Sequence, residues 1–452
     1  MTSAPKKTLH GWGRTPVAEC TAWRPEKQRN VQHILGNHDR PLIARGMGRS
    51  YGDASLQPEG VLCTQRLNHF LTFDSGHGIV TAQAGVTLAE LMEIGIPKGW
   101  LPPVIPGTRH VTLGGCFAAN VHGKNQFAEG DFAEHVLRIK LTRANGESVE
   151  CSPDTYPDLF WATAGGMGMT GIIEEITLKL KPVTSSTLST TSYKVGSLTD
   201  MMAAFELYRS NSDYMVGWID HMASHNQLGR GIFESARHLL PADGGEPVAD
   251  YIPAETRFNV PVYAPPFLLN RYSMALYNRW HFRKYSSERV TEHIGFNNFF
   301  HPLDSIGHWY RLYGKRGFYQ YQCLIPETSA TPAVLQELLT LIHEYKLFSF
   351  LAVLKYHRDG VGFLTFSQKG YSLALDFPNT ARVRAFLPLL DSFVAEHGGR
   401  VYLAKDAQLS AAMFDRMYGE NASQWKEVLQ DADPEHRMLS LMAQRLRWKS
   451  TA

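Results

Sequence analysis

The chain has 452 residues, a length that predicts two or three domains. Its hydrophobic fraction of 44% and charged fraction of 19% are typical of a globular protein. A formal net charge of +2, without a run of Lys and Arg, argues against a nucleic-acid partner.

The N-terminal stretch MTSAPKKTLHGWGRT lacks the apolar core of a secretory signal. No run of about 18 apolar residues follows that could span a bilayer. Five scattered cysteines without a CxxC pair favour reduced thiols over a zinc site or a disulfide framework. We therefore predict a cytoplasmic protein, with a peripheral contact at the inner membrane face left open.

Strands and helices alternate through about the first 180 residues. The sequence TLAE at 87–90 is a capping box that predicts the start of a helix. Apolar and polar residues alternate over 137–142, and Asn145-Gly146 then turns the chain, which indicates a hairpin. A further alternating run over 176–181 predicts a strand that ends at Pro182.

Aromatic residues become dense between about 183 and 400. Six prolines at 241–266 predict an irregular lid or surface loop, because they exclude both a helix and a central strand. Residues 271–284 mix cationic and aromatic side chains, which suits a membrane surface or a lipid phosphate. A solvated helix face packed on the loop is the plainer interpretation. Apolar stripes at 413–417 and 439–446 predict helices in the tail.

Three segments are rich in glycine. RGMGRSYGD (45–53) follows a short apolar run, and its glycines let backbone N–H groups converge on an anion. Its GxGxxxG spacing matches neither a Rossmann fingerprint nor a Walker loop. PGTRHVTLGGCFAANVHGKN (106–125) carries glycines beside small residues, which indicates backbone packed against a flat ligand. AGGMGMTGIIEE (164–175) is a third glycine-rich segment, and it leads into a strand. Ordinary turns alone do not explain all three.

These segments resemble the FAD-binding domain of the vanillyl-alcohol-oxidase/p-cresol-methylhydroxylase (PCMH) superfamily. With HPLD, GFYQYQ and VYLAKD, they resemble within it the decaprenylphosphoryl-β-D-ribose 2′-oxidase family, the flavin half of a two-enzyme epimerase. The resemblance covers nearly the whole chain. It implies an α+β fold, with a PCMH-type FAD-binding domain built from residues 1–183 and 400–452. An antiparallel-sheet substrate domain is inserted at 184–399, with a lid loop at about 241–266.

The resemblance also implies the flavin contacts. Covalent members of the superfamily often carry His before the loop serine, whereas this chain has Arg49 before Ser50, so we expect FAD to be held non-covalently. The implied contacts are Ala44, Arg45, Gly46, Met47, Gly48, Arg49, Ser50, Tyr51, Gly52, Asp53, Ala54, Gly107, Thr112, Leu113, Gly114, Gly115, Ala119, Asn120, Val121, His122, Ile173 and Tyr402.

Transfer of hydride from a carbinol carbon to a flavin needs a proton acceptor and nearby positive charge. Lys405 matches the lysine that the family places between the substrate hydroxyl and the flavin, where it could accept the proton or stabilise charge. A lysine at a strand end that reaches solvent is the alternative. His122 and Lys124 flank Gly123 on the loop expected near the flavin ring, and we expect catalytic roles for both.

The substrate pocket is expected on the inserted sheet. Gln320 and Gln322 alternate with tyrosines, so both amides face one side, where they can bond sugar hydroxyls. Lys355 matches a family pocket lysine that could pair with a lipid phosphate, and Tyr51 is expected to line the same pocket.

Three positions depart from the family pattern and bear on the substrate. Ser372 replaces a family asparagine, and we still expect it to bind the substrate. Phe300 and Ala374 replace a tyrosine and a cysteine, which removes hydrogen-bonding groups from the pocket. The flavin-binding residues are untouched by these changes.

We therefore expect an FAD-dependent oxidoreductase that converts the 2-hydroxyl of a polyprenyl-phosphoryl-β-D-ribose to the ketone. A short-chain NAD(P)-dependent reductase would then complete epimerisation to arabinose. An aldonolactone or alditol oxidase that uses oxygen is the alternative. A flavin-fold protein without catalysis is a third hypothesis, and the retained Lys405, His122 and glutamine pair argue against it.

Overall fold

The computed structural model describes residues 4–223, 227–253, 255–256, 258–265 and 268–449. Its first sheet has four strands: β1 (Lys6–His10), β2 (Val17–Trp23), β3 (Ile43–Arg45) and β4 (Val61–Cys63). β1 and β2 are antiparallel, whereas β4 is parallel to both β2 and β3. Helix α1 (Gln28–Asn37) lies between β2 and β3 in the chain. Because β3 ends at Arg45, this sheet leads the chain directly into the first glycine segment.

A second, antiparallel sheet has five strands: β5 (Phe70–Asp74), β6 (Ile79–Gln83), β8 (Val136–Thr142), β9 (Ser148–Cys151) and β10 (Ile172–Lys179). The predicted hairpin is confirmed as β8 and β9, and Gly146 turns between them with φ of 86°. A two-residue pair joins β7 (Trp100–Leu101) to β11 (Lys181–Pro182). The accompanying helices are α2 (Leu88–Gly95), α3 (Leu113–Ala118), α4 (Gln126–Glu129) and α5 (Pro157–Thr163).

The capping box that opens α2 is confirmed. The Thr87 hydroxyl accepts a hydrogen bond from the Glu90 backbone N–H at 3.2 Å. In return, the Glu90 carboxylate accepts one from the Thr87 N–H at 2.7 Å. The two residues thereby satisfy backbone groups that a helix start leaves unpaired. Leu88, Leu91 and Met92 then pack into the buried core.

The third sheet has eight antiparallel strands: β12 (Thr187–Val195), β13 (Tyr214–Ile219), β14 (Gly231–His238), β16 (Val290–Gly295), β18 (Phe318–Pro326), β19 (Ala352–His357), β20 (Gly370–Pro378) and β21 (Arg400–Val401). They lie side by side in the order β16-β12-β14-β13-β19-β20-β18-β21. This sheet confirms the predicted antiparallel architecture and the α+β class.

The two faces of this sheet differ in chemistry. Tyr321, Cys323 and Leu373 lie on the face that shares a buried core with α6 (Leu198–Tyr208), α9 (Thr331–Glu344) and α10 (Ala381–Glu396). Burial of each large apolar side chain there contributes about 2 kcal/mol. The opposite face carries polar side chains, because Gln320 pairs with Asp376 and Lys355 pairs with Ser372 across neighbouring strands. Helices cover the first, apolar face, whereas the second, polar face carries the candidate site residues.

The C-terminal helices α11 (Ala411–Ala432) and α12 (Leu441–Arg445) return to the first part of the chain. The Trp425 indole donates to the Ala162 carbonyl at 2.9 Å. The Leu439 N–H donates to the Leu42 carbonyl at 3.0 Å, beside the first sheet. These contacts join the last segment to the N-terminal part. The domain boundaries at residues 183 and 399 stay predictions.

The proline-rich stretch 241–266 is irregular wherever the structure describes it; Pro266 lies outside the described residues. It contains short 3-10 turns and a two-residue strand, β15 (Phe258–Asn259), which pairs in parallel with β17 (Ile306–Gly307). Helix α7 (Arg271–Lys284) follows, and α8 (Phe296–Phe300) leads into the HPLD segment. Within the described ranges, we find no helix that combines the length and the apolar character needed to cross a bilayer.

Candidate active site

The first glycine segment packs against two distant parts of the chain. A Cβ atom added to Gly46 would lie 2.3 Å from the Thr112 hydroxyl, and one added to Gly52 would lie 2.0 Å from the Asp406 carbonyl. Gly48 has φ of 63°, in the left-handed region that favours glycine. The glycines therefore let residues 44–54 lie between the second glycine segment and the C-terminal segment.

Two cations of this loop form no salt bridge within the described chain, although the Asp304 carboxylate acts on Arg49 from a longer distance. Arg45 donates to the Ser55 hydroxyl at 2.9 Å and to the His10 carbonyl at 2.7 Å. Arg49 donates to the Met47 carbonyl at 2.8 Å. Burial lowers the pKa of both guanidinium groups, and neither forms a salt bridge with a residue that the structure describes. Partly buried cations beside a glycine loop fit a pyrophosphate, which would supply the missing negative charge.

Asp53, at the end of the loop, is engaged elsewhere. Its carboxylate accepts two hydrogen bonds from the Arg445 guanidinium, at 3.0 and 2.8 Å. Arg445 also donates to Asp406 at 2.8 Å. Asp53 therefore anchors the loop to α12.

The second glycine segment forms a helix start and a return loop. The Thr112 hydroxyl accepts from the Gly115 N–H at 3.2 Å and so caps α3. A Cβ atom on Gly114 would lie 2.8 Å from the Ala84 Cβ, so this glycine packs against protein. A Cβ on Gly107 would meet no atom within 4 Å. Gly107 therefore borders open space, whereas Gly114 serves packing.

The rest of this segment contacts Tyr402. The Tyr402 hydroxyl donates to the Ala119 carbonyl at 2.8 Å, and the Asn120 side chain accepts from the Ala133 N–H at 3.0 Å. Val121 is partly buried beside the core. These contacts bring the return loop to His122.

The third glycine segment is explained by turns and close packing. Gly165, Gly168 and Gly171 all have positive φ, at 75°, 81° and 151°. A Cβ on Gly166 would lie 2.1 Å from the Ala162 carbonyl. Turns and close packing therefore account for the glycines of this segment. Ile173 follows on β10 and is buried.

Lys405 lies just after β21, in a turn where its backbone N–H donates to the Tyr402 carbonyl at 2.9 Å. Its ammonium group donates to the Gln320 amide oxygen and lies 4.1 Å from the centre of the Tyr51 ring. Burial lowers the pKa of Lys405 to about 7, although the nearby Asp376 carboxylate opposes the shift. A lysine with this pKa exchanges protons readily near neutral pH.

Asp376 is a site residue that the sequence did not single out. Its carboxylate accepts from the Gln320 amide at 2.5 Å and from the Tyr313 hydroxyl at 3.2 Å. Burial raises its pKa to about 6. Because Gln320 donates to Asp376 through its nitrogen, its oxygen must face Lys405. Asp376 thus sets the orientation of the Gln320 amide.

His122 is buried and neutral. The Gln322 amide N–H donates to the His122 Nε2 atom at 2.8 Å, and the imidazole ring stacks on Phe366 at 5.3 Å between ring centres. Burial lowers the pKa of His122 well below its ordinary value. Its Nδ1 atom has no hydrogen-bond partner among the described residues. A buried polar atom of this kind indicates a place for a ligand group.

Lys124 and Lys355 add two cations to the same region. Lys124 donates to the Phe299 carbonyl at 2.8 Å and lies 3.6 Å from the Glu234 carboxylate. Burial, and then the charge of Lys124, lower the pKa of Lys355 to about 8. Lys355 forms no salt bridge within the described ranges. Its charge therefore remains for an anionic ligand, whereas that of Lys124 is largely offset.

Behind Ser372 lies a buried hydrogen-bond chain that the sequence did not indicate. The Ser372 hydroxyl lies 2.7 Å from the His357 Nε2 atom, and the His357 Nδ1 atom lies 3.3 Å from the Ser367 hydroxyl. Ser367 donates to Asp131 at 2.7 Å. This last bond assigns the ring proton to Nδ1 of His357, so Ser372 donates to Nε2. The oxygen of Ser372 is thereby left as an acceptor.

The structure brings the predicted residues together around one sheet face. Lys405, Tyr51, Gln320, Gln322 and His122 form one contiguous group, linked by the contacts above. Ser372 and Lys355 lie on the same face, one and two strands away from the glutamines, respectively. A partly neutral lysine, two amides and an uncompensated cation beside a glycine loop are suited to proton abstraction from a hydroxyl group of an anionic substrate.

The FAD-binding fold is also shown by comparison, since residues 22–152 match the family model of an FAD-binding domain. The fold and the site define an FAD-dependent oxidoreductase with a PCMH-type flavin domain. Over 460 residues, the chain is 33% identical to the decaprenylphosphoryl-beta-D-ribose oxidase of Mycolicibacterium smegmatis, with 97% of each chain covered. The chain therefore belongs to the decaprenylphosphoryl-β-D-ribose oxidase family.

Two further relatives match smaller parts of the chain. An uncharacterised protein of Streptomyces coelicolor is 32% identical over 375 residues, which is 80% of this chain and all of that protein. A putative D-arabinono-1,4-lactone oxidase of Neurospora crassa is 30% identical over 165 residues, or 36% of this chain and 30% of that protein. The similarity to the lactone oxidase therefore covers a minor part of each chain.

Proposed function

We propose that this oxidoreductase oxidises the 2-hydroxyl of a polyprenyl-phosphoryl-β-D-ribose to the 2-keto sugar. The observation that carries the proposal is the group of Lys405, Gln320 and Gln322 on one sheet face, with the uncompensated Lys355 beside it. The decaprenylphosphoryl-ribose oxidase relative, similar over nearly the whole chain, supports this substrate class. The ketone would then pass to a separate short-chain NAD(P)-dependent reductase.

FAD, when bound, accepts the hydride from the carbinol carbon. Arg45, Arg49 and the backbone of residues 44–54 would hold its pyrophosphate, and Gly107, Thr112–Gly115, Ala119–His122, Ile173 and Tyr402 would complete the flavin site. We propose non-covalent binding, because Arg49 stands at the position before Ser50. Arg49 packs 4.4 Å over the Trp12 ring and cannot form the histidyl bond.

Lys405 accepts the hydroxyl proton in this proposal. The oxidation removes a hydride and a proton from the substrate; the proton passes to the neutral Lys405 amine while the carbon–oxygen double bond forms. A pKa of about 7 leaves much of Lys405 neutral at physiological pH. Gln320 holds the amine in place through its amide oxygen.

Substrate recognition is divided between the sugar and the phosphate. Gln322 and the acceptor oxygen of Ser372 bond sugar hydroxyls, and Tyr51 lines the pocket beside Lys405. Burial raises the pKa of Tyr51 well above its ordinary value, so its hydroxyl stays neutral. Lys355 pairs with the phosphate. His122, neutral and with an unpartnered Nδ1, contacts the reacting groups from the flavin side.

Lys124 has a different role in this proposal. It is bonded to Phe299 and offset by Glu234. We propose that its remaining positive field stabilises charge that develops during the reaction.

The polyprenyl tail of such a substrate resides in a bilayer, so we propose that the enzyme works as a peripheral protein at the inner membrane face. Oxidation of a soluble aldonolactone with oxygen is the second candidate function. It is favoured by the similarity to the lactone oxidase relative over the FAD-binding part. A neutral lactone carries no negative charge to pair with the uncompensated Lys355, which favours the phosphorylated substrate.

Turnover assays separate these functions. The purified holoenzyme is mixed with prenyl-phosphoryl ribose or with a soluble arabinonolactone, and loss of substrate and release of hydrogen peroxide are followed. We expect turnover of the phosphorylated sugar and a loss of about 100-fold or more in Lys405→Met. Lys369→Met, at an exposed lysine paired with Glu327, is the matched control and should keep full activity. Turnover of the lactone alone, with peroxide release, would contradict the proposal.

A further inference from the structure

Exposed apolar side chains are concentrated in one stretch of the described chain. Nine of its eighteen exposed large apolar residues lie between residues 240 and 280. Most of them are more than half exposed, and Ile252 and Tyr272 both reach 78%. The nine are Leu240, Ile252, Phe258, Val262, Leu268, Tyr272, Leu276, Tyr277 and Trp280. Clustered exposure of this kind marks an interaction surface, whereas scattered exposed residues do not.

Helix α7 carries the most ordered part of this surface. Tyr272, Leu276 and Trp280 recur at intervals of four residues and therefore form one exposed stripe. Met274 and Asn278 point the opposite way and are buried, and the Asn278 amide donates to the Asp220 carboxylate at 3.0 Å. The helix is thus anchored through its polar and apolar inner side while its aromatic side faces outward.

The charge of the same helix is entirely positive. Arg271, Arg279, Arg283 and Lys284 lie on it, and the helix contains no acidic residue. The Lys284 ammonium lies 3.5 Å from the centre of the Trp280 ring, so a cation and an aromatic ring share the outer surface. Arginine and lysine beside exposed Trp, Tyr and Leu are the combination that binds at the interface of an anionic bilayer.

The inner side of the helix continues into the active site. The Tyr277 ring stacks on Phe350, with an interplanar angle of 12°, and Phe350 contacts Tyr313 at 5.7 Å between ring centres. Tyr313 donates to Asp376, the carboxylate that orients Gln320. Leu269, just before the helix, packs in the same apolar cluster as Tyr51. The helix therefore forms a wall between the sugar site and the exposed surface.

We propose that helix α7, with the exposed apolar residues that precede it, is a docking surface for an anionic lipid bilayer. Docking there brings the lipid to the outer side of the helix whose inner side borders the sugar site, so a prenyl tail can remain in the bilayer while the sugar reaches Lys405. The proposal rests on the proposed function for the nature of the substrate. The evidence for the surface itself is the exposure of its apolar side chains and the positive charge of α7.

Vesicle co-sedimentation of the holoenzyme tests this surface without substrate. We expect binding to vesicles of phosphatidylcholine mixed with phosphatidylglycerol and little binding to phosphatidylcholine alone. The variant Tyr272→Ser/Leu276→Ser/Trp280→Ser should bind at least about tenfold more weakly. The matched control Leu71→Ser/Leu207→Ser/Leu389→Ser changes three exposed residues elsewhere and should bind as the original protein does.

The charge contribution is tested separately with Arg279→Gln/Arg283→Gln. Loss of two cations should weaken binding to the anionic vesicles by about 30-fold, and added salt should reduce the difference. The proposal would be overturned if the aromatic variant and its control bound the anionic vesicles equally. It would also be overturned if the original protein bound neutral vesicles as tightly as anionic ones. So would a dimer in light scattering that the aromatic variant dissociates, because a second copy would then cover this face.

The same variants distinguish this proposal from the proposed function. Turnover of a soluble, short-prenyl phosphoryl ribose should be unchanged in the aromatic variant, since none of its three residues contacts the site. If vesicles are bound but no prenyl-phosphoryl sugar is oxidised, the proposed substrate is wrong and the docking surface stands. If the soluble substrate is oxidised but vesicles are not bound, the docking surface is wrong.

Discussion

Replacement of Asp376 with asparagine removes a negative charge that lies one amide group away from Lys405. Asparagine keeps the shape of the side chain, and its oxygen can still accept from Gln320. With the amide between them, the two charged groups are roughly 6 Å apart, and at an effective dielectric constant of about 20 their attraction is about 3 kcal/mol. Loss of this attraction lowers the pKa of Lys405 by up to about 2 units.

The assay is the pH dependence of kcat/KM for the phosphorylated sugar. The neutral amine of Lys405 is the reactive form, so the rate rises as pH increases through a pKa of about 7. In Asp376→Asn we expect this rising limb at lower pH, by about 1 to 2 units. The matched control is Asp391→Asn, a buried carboxyl on the opposite face that accepts from Tyr321, and its profile should not move. An unmoved or raised limb in Asp376→Asn would refute the assignment of Lys405 as the base.

Three further outcomes follow from the geometry. Gly46→Ala places a methyl group 2.3 Å from the Thr112 hydroxyl and should weaken FAD binding by about tenfold or more, measured by flavin fluorescence titration. Lys355→Met should raise KM for the phosphorylated sugar by about tenfold with kcat little changed, in steady-state kinetics. Because burial lowers the pKa of His357 to about 3, its neutral form stabilises the fold above pH 6.5, and this contribution is lost as pH falls. His357→Gln should therefore make the acid-side fall in unfolding free energy shallower, by about 1.4 kcal/mol per pH unit, in denaturant titrations.

Strand alternation was sufficient to place Gln320 and Gln322 on a common face, because side chains in a strand alternate with a period of two. The structure confirms this arrangement, since both amides are buried towards Lys405 and His122. Tyr321, between them, bonds Asp391 on the other face. A local pattern of this kind can be read from one segment alone.

Asp376 and His357 could not be found in this way. Their importance depends on the register of β18, β19 and β20, which sets Asp376 opposite Gln320. Register is determined by pairing between segments that are distant in the chain, and no single strand encodes it. The signal that could have found Asp376 is its spacing of four residues from Ser372, which places both on one face of β20.

The glycine segments illustrate the same distinction. Their composition predicted backbone packed against a ligand, which stays a prediction, whereas at Gly46 the close neighbour in the structure is a protein side chain. The identity of that group, the Thr112 hydroxyl, follows from tertiary structure. In the third segment the partner is the protein itself, so glycine content alone does not separate a ligand contact from a packing contact.

In the proposed reaction, hydride leaves C2 of the sugar for FAD while Lys405 takes the hydroxyl proton. Anaerobic single-turnover mixing of the holoenzyme with prenyl-phosphoryl ribose deuterated at C2 tests it directly, through the loss of visible flavin absorbance. We predict that deuterium at C2 slows this loss several-fold, that deuterium at C3 does not, and that Lys405→Met abolishes it on the same timescale. Flavin that stays oxidised, or an isotope effect at C3 in place of C2, would contradict the account.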